Sequence, residues 1–169
     1  MENRSFDHML GFLRTARGPE YEGLVGDESN PVVGRAKPVR VQRASEIVPG
    51  IVTKIFDGPH HDFLHVRDQV AGSAMSGFAQ NYEDRFSGKA ETVMTFYTNE
   101  ELTTYYELAA SYKVCDHWFA AHPGPTWPNR WCTFGGTAFD INNLEIADPN
   151  IGFIDGLTIF DLLDQRGID

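Results

Sequence analysis

The segment His122–Trp131 restricts the fold of this chain more than any other, because it places three prolines and one glycine among ten residues. Proline fixes φ and removes a hydrogen-bond donor, so this segment cannot lie inside a helix or a central strand. We expect a stiff turn followed by a helix from about Asn129 to Phe134, with Pro128 in its first turn. Thr126 then stands at or near the N-cap, where its hydroxyl either caps free N–H groups or lies beside a bound phosphate.

The composition of the chain limits the kinds of molecule that it can bind through charge. The chain has 169 residues, 41% of them hydrophobic, and a formal net charge of -10. That charge argues against nucleic acids and anionic membrane surfaces, although a bound cation would still allow a phosphate substrate. No apolar run in the sequence is long enough to span a membrane. The two cysteines, Cys115 and Cys132, are too few for a disulfide framework and are expected as small buried residues.

Periodic apolar residues and turn residues predict an α/β chain. The predicted elements are a helix capped by Asn3 or Ser5 and running to about Leu13, a hairpin or extended arm over Val32–Val41, a helix from about His61, a helix capped by Asn99 and running to about Tyr112, a short buried strand within Val114–Phe119, and a helix over Ile159–Gln165 that is capped by Thr158 and stopped by Gly167. A strand, a tight turn, a hydroxyl and a helix in this order place Thr126 at the carboxyl end of a sheet, where α/β proteins bind ligands.

Both ends of the chain look interrupted. Glu2, Asn3, Asp7 and His8 crowd functional groups into a region that frays in most proteins, so we expect a strand before the first residue. The pattern Gly167–Asp169 after the last predicted helix is typical of the entry into another strand. The whole chain is therefore expected to be the N-terminal part of a single, larger domain that is truncated at both ends.

Three motifs in order resemble the bacterial phospholipase C and acid phosphatase family of phosphoesterases. They are ENRSFDHMLG at Glu2–Gly11, GPHHDF at Gly58–Phe63 and GPTWPNR at Gly124–Arg130. The resemblance covers nearly all of this chain but only the N-terminal part of a family domain. It implies a partial alkaline-phosphatase-like sheet sandwiched by helices. It also implies a metal-assisted phosphoester hydrolase, of phospholipase C or acid phosphatase type.

The resemblance further implies roles for individual residues. Glu2 and Asn3 match the family's metal-binding pair, and Thr126 matches a hydroxyl nucleophile that also contacts the metal. His61 matches a histidine that contacts the substrate phosphate, with its neighbour His60 as the alternative assignment. The family's later acidic ligands and later histidines have no counterpart in this chain, so the chain alone is expected to have little or no activity.

The chemistry of these residue types agrees with that assignment. A threonine hydroxyl is a poor nucleophile near neutral pH, and a divalent cation on its oxygen at a helix N-terminus favours the alkoxide. Carboxylate and amide oxygens suit a hard or borderline divalent cation, whose identity stays open. His61, Asn3 and the N–H groups of the turn are candidates to stabilise charge on the phosphoryl oxygens.

Other interpretations of the same residues stay open. A non-catalytic module that keeps half of the site could bind a metal or phosphate without turnover. His65 follows another histidine by four residues, which is metal-ligand spacing on a helix, but a third ligand is missing nearby. His117 and His122 flank the turn and could line a pocket, whereas Asn129 and Arg130 are expected to lock the turn by hydrogen bonds. The substrate ester, the oligomeric state and the cellular compartment are left open.

Overall fold

The computed structural model describes residues 4–47, 58–139, 141–142 and 156–168. The chain is of the mixed α/β class, as the sequence predicts. It divides into two compact units, which are described separately. The first unit comprises residues 1–60 and 69–118, and the second comprises residues 61–68 and 119–169.

Short helices connected by turns make up most of the described structure. The helices are α1 (Phe6–Leu10), α2 (Leu13–Arg17), α3 (Ala44–Ile47), α4 (Phe63–Val70), α5 (Phe78–Arg85), α6 (Ala90–Val93), α7 (Thr103–Ser111), α8 (Thr126–Gly135) and α9 (Ile159–Gln165). A short 3-10 helix, Ala71–Ser73, directly follows α4. The strands are β1 (Ser29–Asn30), β2 (Val39–Arg40), β3 (Gln42–Arg43) and β4 (Thr95–Phe96).

The strands of the first unit form two small sheets. β1 pairs antiparallel with β2, so that Asn30 lies opposite Val39. A hairpin or an extended arm was expected over Val32–Val41, and the first strand of the observed pair lies before that segment. β3 pairs parallel with β4, with Gln42 opposite Thr95. A parallel pair needs a long connection, and here residues 44–94 supply it.

Small apolar clusters hold the first unit together. One cluster joins the hairpin to α5 and α6 through the buried side chains of Val32, Val39, Ala79, Ala90 and Met94. Another packs α2 against α7 through Leu13, Tyr106 and Ala109. Full burial of a valine, leucine or methionine side chain contributes roughly 1.5–3 kcal/mol. Helices this short are unstable in isolation, so packing of their side chains supplies most of their stability.

An aromatic contact connects helices α8 and α9 of the second unit. The rings of Phe134 on α8 and Phe160 on α9 lie 5.5 Å apart. Thr158 caps α9 as predicted, because its hydroxyl accepts from the N–H of Asp161 while the Asp161 carboxylate accepts from the N–H of Thr158. Gly167 follows the helix with φ +65°, which also agrees with its predicted role as a stop.

The predicted buried strand within Val114–Phe119 is wrong. These residues form turns and irregular backbone, and the side chains of Trp118 and Phe119 are 84% and 75% exposed. Cys115 is exposed as well, and Cys132 is half-buried, so the expected burial of both thiols is also wrong. An apolar run becomes a buried strand only where a neighbouring strand pairs with it, and no described residue does so here.

The helix predicted from Asn99 begins later, at Thr103. The reason is local: the carboxylate of Glu101 accepts hydrogen bonds from the backbone N–H and the hydroxyl of Thr98. These bonds hold residues 98–101 in a turn before α7.

Among the helices that the structure describes, none has the length and apolar character needed to cross a membrane.

Candidate active site

Thr126 is the first residue of the ten-residue helix α8. The N-cap is Pro125, whose extended backbone (φ -72°, ψ -178°) brings the chain into the helix without a side-chain cap. Pro128 lies in the first turn, as predicted, and its side chain is fully buried. Thr126 is therefore not the residue that caps the helix. Its half-buried side chain stands at the helix end where free N–H groups and the helix dipole favour an anion.

Asn129 locks the turn that precedes Thr126. Its Oδ1 accepts from the backbone N–H of His122 at 3.0 Å. Its Nδ2 donates to the carbonyl oxygens of His122, Gly124 and Pro125 at 2.9, 3.2 and 3.1 Å. One side chain thus satisfies backbone groups that the proline-rich turn cannot pair with each other. This confirms the locking role expected for Asn129.

His61 lies in the same unit as Thr126, in the segment that leads into α4. The side chain of His61 is exposed. Two residues later, the ring of Phe63 stacks on the imidazole of His122, with centroids 5.5 Å apart and an angle of 29° between the planes. The structure therefore brings the segment that carries His61 against the turn that precedes Thr126.

A second group of potential ligands lies within the six-residue stretch from His60 to His65. His60, Asp62 and His65 each offer one ligand atom, and these atoms all lie within 4.8 Å of one another, so the group could hold a metal ion. His65 Nε2 and Asp62 Oδ2 lie 3.8 Å apart. This is a local feature of a continuous stretch of chain. Two histidines with one carboxylate suit a borderline cation such as zinc.

His65 was not expected to bind a metal, because a third ligand was missing nearby. Asp62 offers that ligand. The signal in the sequence was an aspartate three residues before the histidine, in the first turn of the predicted helix. Asp62 also accepts a hydrogen bond from the backbone N–H of His65 in the first turn of α4. Arg85 donates to Nδ1 of His60 at 3.2 Å.

The predicted metal ligands Glu2 and Asn3 lie outside the described residues. The helix that follows them, α1, is capped by Ser5, whose hydroxyl accepts from the N–H of His8. His8 fixes α1 to β4, because its Nδ1 donates to the carbonyl of Thr95 at 2.7 Å and its own carbonyl accepts from the N–H of Tyr97. Burial lowers the pKa of His8 and outweighs the opposing effect of the Thr95 hydrogen bond.

The remaining candidates on either side of the turn differ in their surroundings. His117, in the first unit, is exposed and pairs with Glu22, with Nε2 and Oε1 3.3 Å apart. His122, in the second unit, is half-buried, and its Nε2 is buried with no hydrogen-bond partner among the described residues. Arg130 is exposed, and its guanidinium lies 5.8 Å from the ring centre of Trp127.

A sequence profile of the Phosphoesterase family matches residues 1–169. The chain belongs to the Phosphoesterase family. Similar members include Non-specific phospholipase C1 of Arabidopsis thaliana, which is 39% identical over 176 residues, covering 99% of this chain and 32% of that protein. Non-specific phospholipase C6 of the same plant is 33% identical over all of this chain and 32% of its own length. Phospholipase C B of Mycobacterium tuberculosis is 30% identical over 76% of this chain and 27% of its own length.

Family membership confirms the resemblance drawn from the three motifs. The chain spans about a third of the length of the phosphoesterases it matches, since 32% of each plant protein is covered. The catalytic and metal-binding roles of four residues stay predictions: Thr126, His61, Glu2 and Asn3.

Proposed function

We propose that this protein is a metal-assisted phosphoester hydrolase, with Thr126 as its nucleophile and a phospholipid or another phosphate ester as its substrate. The observation that carries the proposal is the position of Thr126 at the first residue of a ten-residue helix, behind a turn that Asn129 locks. The relatives named as phospholipases C supply the reaction class.

The local geometry suits attack on a phosphoryl group. The N–H groups of the first turn of α8 face the side on which a phosphate would sit, and no side chain at the N-cap occupies them. Thr126 attacks the phosphorus in line, the leaving oxygen departs from the opposite side, and a phosphothreonine remains. Water then cleaves the phosphorus–oxygen bond of that intermediate and restores the hydroxyl. His61 contacts the phosphate, and its imidazole can protonate the leaving oxygen.

A divalent cation completes the proposed site. The described residue of the ligand set, Thr126, fits such an ion because its hydroxyl oxygen is a hard donor and does not act as the cap of the helix. Glu2 and Asn3 would hold the ion together with Thr126. When bound, the ion lowers the pKa of the threonine hydroxyl and neutralises phosphate charge, which a chain with a net charge of -10 would otherwise repel.

The test compares Thr126→Ala and Thr126→Ser with a matched control, Thr133→Ala, in the protein with whatever flanking sequence its gene encodes. Thr133 lies on the same helix and is exposed, and its hydroxyl donates only to the carbonyl of Asn129. Turnover of p-nitrophenyl phosphate and of phosphatidylcholine micelles is measured with added Mg²⁺, Mn²⁺ or Zn²⁺. We expect Thr126→Ala to lose at least about 10³-fold in kcat, because removal of a nucleophile is rarely tolerated.

The Thr126→Ser variant keeps an attacking oxygen and should retain measurable activity. A phosphate group on Thr126, trapped by acid quench and found by peptide mass spectrometry, would support the covalent step. Full activity in Thr126→Ala would refute the proposed nucleophile.

The 169-residue chain alone should turn over little or no substrate even with metal, because the resemblance implies further acidic ligands outside it. Metal-dependent turnover by the chain alone that Thr126→Ala removes would contradict this.

A further inference from the structure

We infer that His122 is a positioning residue, which aligns the segment carrying His61 with the turn carrying Thr126 through the stack of its imidazole on Phe63. The inference deepens the proposed function and rests on it, because the two aligned groups are the proposed phosphate-contacting histidine and the proposed nucleophile. All the residues concerned lie in the second unit.

The backbone of His122 is held rigidly from one side. Both its N–H and its carbonyl are bonded to the side chain of Asn129, which stands in the first turn of α8. The position of His122 relative to Thr126 is therefore set by hydrogen bonds within eight residues of chain. The imidazole cannot shift without either rotating its side chain or breaking the turn.

The imidazole lies over the turn itself. A Cβ atom added to Gly124 would stand 2.8 Å from Cδ2 and 3.0 Å from Nε2 of His122, which is closer than real Cβ contacts. Glycine at this position thus leaves the space that the ring occupies. The same ring stacks on Phe63, two residues after His61. The imidazole accordingly contacts both parts of the proposed site, the turn before Thr126 and the segment that carries His61.

The imidazole is proposed to position the site by stacking, and not by a hydrogen bond from its Nε2. Its Nε2 is buried without a hydrogen-bond partner among the described residues, so that nitrogen forms no described contact that stabilises the site. A buried polar atom without a partner destabilises the fold, whereas an apolar ring of similar shape would not carry this cost. Stacked aromatic pairs, by contrast, are stabilising beyond the area they bury.

The expected consequence is kinetic. A displacement of about 1 Å between reacting groups can lower a rate by about 10²-fold. We expect His122→Ala to lower kcat for p-nitrophenyl phosphate by about 10- to 100-fold while changing KM by less than about 3-fold. His122→Phe should keep kcat within about 3-fold of the wild-type value, because it keeps a stacking ring. It should also have a Tm equal to or above that of the wild type, since it removes the unpaired nitrogen.

The control histidine is His117, which stands five residues earlier, is exposed and lies in the other unit. His117→Ala and His117→Phe should leave kcat and KM unchanged. Phe63→Ala should reproduce the loss of His122→Ala, and the double variant should be no worse than either single variant, both in kcat and in Tm, because one contact is lost only once.

These outcomes separate the inference from the proposed function. Full activity in Thr126→Ala would refute the proposed nucleophile, whatever His122 does. If Thr126→Ala is inactive but His122→Ala has wild-type kcat, the positioning role alone is overturned. A His122→Phe variant as inactive as His122→Ala would overturn it too, since the ring nitrogens would then be the essential groups. Additive Tm losses for His122→Ala and Phe63→Ala would equally contradict the stacking contact.

Discussion

At the scale of single residues, the turn before α8 depends on one amide. Prolines at 123, 125 and 128 lack N–H donors, so neighbouring carbonyl oxygens need a partner outside the local backbone. The Nδ2 of Asn129 donates to the carbonyls of three residues while its Oδ1 accepts from the N–H of His122. The side chain of Asn129 thus fixes the backbone of the turn that leads to Thr126.

The variant Asn129→Asp tests this role, because it is isosteric but replaces the donating amide with an acceptor. We expect the free energy of unfolding to fall by about 1–3 kcal/mol, since carbonyl oxygens would lose their donor and face a carboxylate. Urea unfolding followed by circular dichroism measures the change. Thr133→Ala is the control and should stay within about 0.5 kcal/mol of the wild type. Equal stability of Asn129→Asp and the wild type would contradict the locking role.

At the scale of elements, one carboxylate connects the β3–α3 corner to the turn before α7. Glu101 accepts from the hydroxyl of Ser45 at 2.7 Å, from Arg43 at 3.0 Å and from the N–H of Thr98 at 2.7 Å. Its side chain is 6% exposed, whereas that of Glu100, which also pairs with Arg43, is 73% exposed. The buried carboxylate is the one whose loss would leave partners unsatisfied, so the Glu101 contacts matter more than the exposed pair.

The pH dependence of stability should report this network. Burial alone would raise the pKa of Glu101, but hydrogen bonds from Thr98, Ser45 and Arg43 outweigh burial and lower the pKa to about 2 from the usual 4.5. Because the folded pKa is the lower one, the contribution is fully present above the unfolded pKa and is lost as pH falls towards 2.

Glu101→Gln should therefore reduce stability at pH 7 and flatten the fall in stability on the acid side of pH 4.5. Urea midpoints measured from pH 7 down to pH 3 give both effects. Glu107→Gln, an exposed position on α7, is the matched control and should keep the wild-type slope. A Glu101→Gln profile parallel to the wild type would rule the network out as a source of acid sensitivity.

At the scale of the whole molecule, large apolar side chains stand in solvent. Tyr112, Trp118, Phe119 and Phe160 are between 61% and 84% exposed. Isolated exposed apolar residues are ordinary, but Trp118 and Phe119 are consecutive and follow Tyr112 closely in the chain. Large apolar side chains that are exposed to solvent promote association. The net charge of -10 opposes association at long range but is screened by salt.

The 169-residue chain should accordingly self-associate, increasingly so as salt is added, and should bind a hydrophobic dye. The replacements Trp118→Ser and Phe119→Ser should reduce both effects without lowering the free energy of unfolding, because these side chains bury little surface in the fold. Sedimentation velocity and dye fluorescence provide the measurements. A wild-type chain that stays monomeric and binds no dye would contradict the expectation.

The sequence by itself determined the features that depend on a few neighbouring residues. Proline geometry predicts the stiff turn and a helix from about Asn129, although the helix begins three residues earlier, at Thr126. Side-chain chemistry predicts the cap at Thr158. The three motifs identified the family by resemblance, and the mixed α/β class followed from that resemblance.

Only the tertiary structure decided which distant residues meet and which stay in solvent. The stack of Phe63 on His122 joins residues 59 positions apart, and no local pattern encodes that distance. Apolar character predicted burial of Trp118 and Phe119, yet burial requires a surface that encloses most of a side chain, and both of these side chains stay largely exposed. Local geometry is specified by each residue's own allowed conformations, whereas contacts and burial depend on the packing of the entire chain.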